Sequence, residues 1–284
     1  MFMFTSRNRE LCRHTLKNSL SRFRTSKEGN IDLFTDPSNE LQKWLKIPLF
    51  RKDEKPFAPD EITIKKAGRL FRPSNTNKIQ FVKSVFDNPE HYPVYKKPNL
   101  PEILFLGYSN SGKSTLIKAL FKHNEELVRT SSKPGHTQLL NFFQAGDQFV
   151  LVDAPGYGQN EPENFRPAVE KYLETRKNLR RTFLLIDSSI GMLRKDKRAI
   201  KMLERHQRPF ALIMTKIDTT PTSIKLTNLM EMQRIRDEYS SPFCYPQPFL
   251  VSGLTYEGLG FLQAFITHET TDHVVDENIN VLHN

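Results

Sequence analysis

Three residues that bind phosphate chemistry well, a lysine and two hydroxyls, close a glycine-punctuated loop at Gly112-Lys113-Ser114-Thr115. The stretch GYSNSGKS, Gly107 to Ser114, fits G-x-x-x-x-G-K-[ST] and follows an apolar run that begins at Glu102. Gly107 and Gly112 allow the backbone N–H groups of Tyr108, Ser109, Asn110, Ser111 and the residues after them to turn toward one centre, which attracts an anion. A helix starting near Lys113 adds the positive end of its dipole to the same spot. In this pattern Lys113 serves catalysis by reaching the β- and γ-phosphates, and the Ser114 hydroxyl ligates Mg²⁺.

The loop does not choose a base, but ALIMTKID does. A strand ending at Met214 delivers Thr215, Lys216, Ile217 and Asp218, which resemble the [NT]-K-x-D element of GTPases. There the carboxylate accepts from N1–H and the 2-amino group of guanine, a pair of donors that adenine lacks. Lys216 is expected to lay its stem over the base and against the phosphate loop. Three further pieces follow in order. KPGHTQL supplies Gly135, His136, Thr137, Gln138 and Leu139, with Thr137 as the switch threonine for Mg²⁺ and the γ-phosphate. DAPG supplies Asp153, Ala154, Pro155 and Gly156; Asp153 holds Mg²⁺ through water and the Gly156 N–H meets the γ-phosphate. VSG, Val251-Ser252-Gly253, offers backbone N–H to the guanine O6. The ligand implied is GTP or GDP with Mg²⁺. His136, a loop imidazole without a visible partner, is read as incidental rather than as an acid–base group.

Elements to position these loops are legible. Apolar runs at Glu102–Tyr108, Leu139–Ala145, Phe149–Asp153, Thr182–Asp187, Phe210–Thr215 and Pro248–Val251 read as strands. Amphipathic segments at Lys113–His123, Phe165–Lys177, Arg194–His206, Thr222–Glu238 and Thr255–His268 read as helices. Only the second and third strands, joined through GDQ, are close enough for an antiparallel hairpin. The expected fold is an α/β P-loop NTPase of the Ras-like kind: a mostly parallel six-stranded sheet, one antiparallel strand, helices on both faces. Residues 77–268 form the G domain, 28–76 a linker or partly ordered arm without a long periodic element, and 269–284 a flexible tail.

The wording of the motifs is more particular. GYSNSGKSTLIKAL, KPGHTQLLNFF, DAPGYG, TKID and VEKYLETRKNLRRTFLLIDSSIG together resemble the EngB (YihA/YsxC) family, and within it the animal mitochondrial branch, over about Ile79 to His268. The resemblance implies a GTPase acting in assembly of the large ribosomal subunit, here of the mitochondrial ribosome, as a monomer that contacts that subunit or its rRNA. Two departures stand out: Tyr108 replaces the family's usual basic residue, and VSG its usual serine-rich variant. In Ras-like enzymes the residue after D-x-x-G orients the attacking water. Here it is Tyr157, whose phenol lacks a carboxamide's paired donor and acceptor, so unaided turnover is expected to be slow. Resemblance to monovalent-cation-dependent GTPases gives Asn110 a catalytic part, its amide oxygen holding K⁺ near the β/γ bridge; the alternative is that Asn110 caps the loop.

The net charge of +10 is uneven. Residues 1–100 hold 20 Lys/Arg against 11 Asp/Glu, whereas residues 101–284 are nearly balanced. Residues 1–27 carry five arginines, two lysines, four serines and one acid, the composition of a mitochondrial transit segment, which predicts the matrix; without such a segment the address is cytoplasmic. No apolar run approaches the ~20 residues that cross a bilayer. Cys12 and Cys244 offer neither metal spacing nor a disulfide framework. RKNLRR and RKDKRAIKMLERHQR are either a face for rRNA phosphates or a solvated helix surface. The rival functional reading is a nucleotide-gated binding module with vestigial hydrolysis and a non-ribosomal organellar or membrane partner.

Overall fold

The computed structural model describes residues 35–46, 49–50, 57–86, 88–121, 139–158, 165–239 and 241–271. The strands are β1 (Ile79–Val85), β2 (Glu102–Gly107), β3 (Leu140–Ala145), β4 (Phe149–Asp153), β5 (Leu179–Asp187), β6 (Phe210–Thr215) and β7 (Phe249–Leu250). The helices are α1 (Ser38–Gln42), α2 (Glu61–Leu70), α3 (Lys113–Leu120), α4 (Phe165–Thr175), α5 (Arg194–Arg205), α6 (Thr222–Tyr239) and α7 (Leu259–Thr271).

Alternation along the central strands builds a core on each face of the sheet. Leu104 and Leu106 of β2 join Leu184, Ile186, Leu212 and Met214 beneath α4, α5 and α6. Ile103 and Phe105 join Phe183, Leu185, Ala211 and Ile213 beneath α2, α3 and α7. Because both faces are covered, every residue of β2, β4 and β6 is buried, as parallel strands between two helical layers require.

The sheet order is β1-β3-β4-β2-β5-β6-β7. The six-strand expectation is therefore corrected to seven, by an edge strand at Ile79–Val85. Its register slips between Phe81 and Lys83, which interrupts the period-two pattern that marks a strand in sequence. β1 pairs antiparallel with β3, and β3 antiparallel with β4, so β3 alone runs against the other six. The single antiparallel strand stands as expected.

The reading of residues 28–76 also needs correction. Asp60 caps α2 by accepting the Thr63 N–H at 2.7 Å, and Ile64, Ala67 and Phe71 are buried. Phe57 packs on Phe261 and Phe265 of α7 with ring centroids 5.3 and 5.2 Å apart. Residues 57–71 are thus a layer of the domain rather than a tether. α7 likewise starts later than expected, at Leu259, and runs on to Thr271, past the boundary drawn at 268. Residues 1–27 lie outside the described residues.

Candidate functional site

Strands β2, β4, β6 and β7 run in one direction, so the loops that follow them meet at one edge of the sheet. The loop after β2 closes tightly. Gly112 takes φ +90°, a left-handed turn that a side chain would resist, and leads into α3. Among the described residues the amides of Gly112, Lys113 and Ser114 have no backbone partner, at the positive end of that helix. The Lys113 ammonium, buried inside the loop, donates to the carbonyls of Gly107 at 2.9 Å and Tyr108 at 3.1 Å. Burial pulls its pKa down to about 8, with Asp153 and Asp196 pulling the other way. Asn110 is exposed at φ +67°, a conformation asparagine tolerates better than most residues.

The end of β4 lies against this loop. Ser114 Oγ donates to Asp153 Oδ2 at 2.7 Å, while the buried Oδ1 has no partner. Burial pushes the Asp153 carboxyl up to about 6, opposed by Lys113, Ser114 and Lys118. Ala154 and Pro155 are buried, and Gly156 approaches the P-loop so closely that a Cβ there would lie 2.8 Å from Ser109 Cα. The next residue completes the contact: Ser109 N donates to the Tyr157 carbonyl at 2.7 Å, and Tyr157 N to the Gly107 carbonyl at 3.3 Å. The Tyr157 ring is buried, with its hydroxyl donating to Asp196 of α5.

The base end is built by β6 and β7. Thr215 Oγ1 donates to the Ser111 carbonyl at 2.7 Å, tying this element to the phosphate loop. Lys216 takes φ +56°, its stem passes within 3.8 Å of a Cβ built on Gly112, and its ammonium pairs with Asp187 Oδ2 at 2.8 Å. Burial works to raise the Asp187 pKa, but hydrogen bonds from Lys216 and Ser189 outweigh it and hold the carboxyl below its usual value. Ile217 is buried, and the exposed Asp218 lines a cavity of about 150 Å³ with Thr115, Thr215, Lys216, Val251 and Gly253. The three residues of VSG are not equivalent. Val251 N donates to the Met214 carbonyl and Ser252 N to the Glu257 carbonyl, so only the Gly253 N–H is left to meet a ligand. Ser252 Oγ accepts from the amides of Leu254 and Thr255, which shapes the turn.

The structure thus gathers Gly107 to Ser114, Asp153 to Gly156, Thr215 to Asp218 and Val251 to Gly253 at one edge. Leu139, half-buried, immediately precedes β3; Gly135, His136, Thr137 and Gln138 lie outside the described residues. Asp196 and Asp187 were missed by sequence reasoning. Asp196 stands at the third helical position of α5 and accepts the Leu193 N–H at 2.6 Å, a capping signal that was visible. Nothing in the sequence tied it to Tyr157.

Comparison with known proteins agrees with this geometry. Residues 102–216 match the family model described as 50S ribosome-binding GTPase. The probable GTP-binding protein EngB of Citrifermentans bemidjiense is 39% identical over 167 residues, covering 56% of this chain and 76% of that one. Its counterpart in Granulibacter bethesdensis is 33% identical over 226 residues, covering 76% of this chain and 95% of that one. The chain belongs to the EngB family. As a member it is a GTP-binding GTPase with the α/β G-domain fold. A crystal structure of a probable GTP-binding protein engB overlays with a TM-score of 0.45 at 18% identity, covering 60% of this chain and 98% of that one. Against the elongation factor SelB of Methanococcus maripaludis in its apo form, the chain spans 33% of that protein's length, with a TM-score of 0.45. No helix among the described residues is long and apolar enough to cross a membrane.

Proposed function

We propose that this EngB-family GTPase is a slow switch in assembly of the large ribosomal subunit, working in the mitochondrial matrix as part of the family's animal mitochondrial branch. The observation that carries the slow rate is Tyr157. It occupies the position after DAPG, its ring is buried, and its hydroxyl is committed to Asp196, so it orients no water. The family model's description as ribosome-binding supports the partner. The Arg- and Ser-rich residues 1–27 support the address.

Mg²⁺ fits the residues present: Asp153 keeps a buried oxygen without a partner, 2.7 Å separates its other oxygen from the Ser114 hydroxyl, and Thr137 completes the set by sequence. Bound there, the ion would neutralise charge on the β- and γ-phosphates. Lys113 is held beside the same loop and, with the unpaired amides at the start of α3, would stabilise charge as water adds to the γ-phosphorus and the bond to the β–γ bridging oxygen breaks. Asn110, exposed at the loop's outer turn, would hold K⁺. Asp218 selects guanine.

The test measures phosphate release in Na⁺ and in K⁺, alone and with large ribosomal subunits, beside co-sedimentation with GTP analogue or GDP. Stimulation of about tenfold or more by K⁺ or subunits, and GTP-dependent sedimentation, is the expected result. Equal rates throughout would refute it. The same buried Tyr157 favours a second reading, a nucleotide-gated module with vestigial hydrolysis and another organellar or membrane partner; that reading predicts no sedimentation with subunits.

A further inference from the structure

Much of the basic stretch is spent inside the fold. Arg176 is bound to Glu102, Arg181 to Glu269, and Arg208 donates to the carbonyls of Leu173 and Glu174. What remains outward is a stripe on α5. Asp196, Ala199, Ile200, Met202 and Leu203 form its buried side, whereas Arg194, Arg198, Lys201 and Arg205 are exposed and Lys197 half-buried. These five cations fall at i, i+3, i+4, i+7 and i+11, a line about 16 Å long on one helix face.

Neighbouring elements oppose its charge at two points. Arg205 pairs with Glu170 of α4, and Lys197 lies within the field of Glu231 on α6, whose closer partner is Arg234. Arg194, Arg198 and Lys201 have no carboxylate partner among the described residues. No apolar side chain interrupts the line, so it offers no anchor for a peptide helix or a bilayer. Repeated cations at this spacing suit a chain of phosphates. The first turn of the same helix also reaches the nucleotide site, because Asp196 accepts the Tyr157 hydroxyl and Tyr157 is strapped to Gly107 and Ser109.

We propose that the exposed stripe of α5 seats an RNA phosphate backbone, and that Asp196 and Tyr157 carry its occupancy to the P-loop. This rests on the ribosomal reading above and names the surface that reading requires.

The test uses the full chain, the double variant Arg198→Glu/Lys201→Glu, and Tyr157→Phe. Each is titrated against large ribosomal subunits and against protein-free duplex RNA, with GTP analogue or GDP, from roughly 50 to 200 mM salt. The double variant should lose about tenfold or more on both probes, with a salt slope lower by about 2, while GDP affinity and thermal unfolding stay unchanged. Tyr157→Phe should keep RNA affinity and lose the difference between GTP analogue and GDP; Asp196→Asn replaces it if that variant does not fold. Unchanged binding by the double variant, or displacement by polyglutamate as readily as by RNA, would overturn the surface. A retained nucleotide difference in both Tyr157→Phe and Asp196→Asn would overturn the coupling. Binding to duplex RNA but not to subunits would leave the stripe standing and overturn the ribosomal reading. Subunit binding indifferent to the double variant would do the reverse.

Discussion

Glu102 at the start of β2 and Asp153 at the end of β4 are carboxylates sealed into neighbouring strands of one sheet, yet their surroundings differ completely. Glu102 Oε1 accepts from Tyr95 at 2.5 Å and Arg176 Nη2 at 2.5 Å, and Oε2 from Tyr172 at 2.6 Å and Arg176 Nε at 2.8 Å. The guanidinium also donates to the Pro93 carbonyl and lies over the rings of Tyr92 and Tyr95. Burial and the Glu102 charge push the phenols of Tyr95 and Tyr172 up, so both remain donors throughout the physiological range. Asp153 has one partner and one bare oxygen. A buried charge is costly unless its hydrogen bonds are complete. The completed set at Glu102 holds β2 to the end of α4; the incomplete set at Asp153 leaves one oxygen open, which fits the Mg²⁺ proposed above.

The contrast can be broken from either end. Glu102→Ala leaves the half-buried Arg176 and the phenols of Tyr95 and Tyr172 without their shared acceptor and should cost about 3 kcal/mol in denaturant unfolding, with GDP affinity of the folded protein unchanged. A loss under about 1 kcal/mol would show that Glu102 is not a fastener. Tyr95→Phe removes one hydrogen bond to the same carboxylate and should cost about 1.5 kcal/mol by the same measurement. Asp153→Asn should move stability by less than about 1 kcal/mol, while Mg²⁺ ceases to tighten GTP binding. A variant that still responds to Mg²⁺ in nucleotide titrations would place the ion elsewhere.

The site was more legible in sequence than the frame that carries it. Lys113, Asp153 and Asp218 belong to short motifs in which chemistry dictates residue type and spacing, so each could be placed without knowing its neighbours. β1 could not, because its bulge breaks the alternation and its outer edge is exposed. α2 was hidden because it buries only Ile64 and Ala67 while Ile62 faces solvent, so its burial depends on α7, far along the chain. The basic run at 176–208 was legible only as charge: the partners that consume part of it, Glu102, Glu269 and Glu170, come from other elements.

The central claim is that Asp218, at the rim of the cavity beside the phosphate loop, chooses guanine. Its most direct measurement is titration of the protein and of Asp218→Asn with GDP, xanthosine diphosphate and ADP. The parent chain should bind GDP alone, and the variant should exchange GDP for xanthosine diphosphate, because the amide donates where xanthine accepts. An unchanged preference for GDP in the variant would contradict the account.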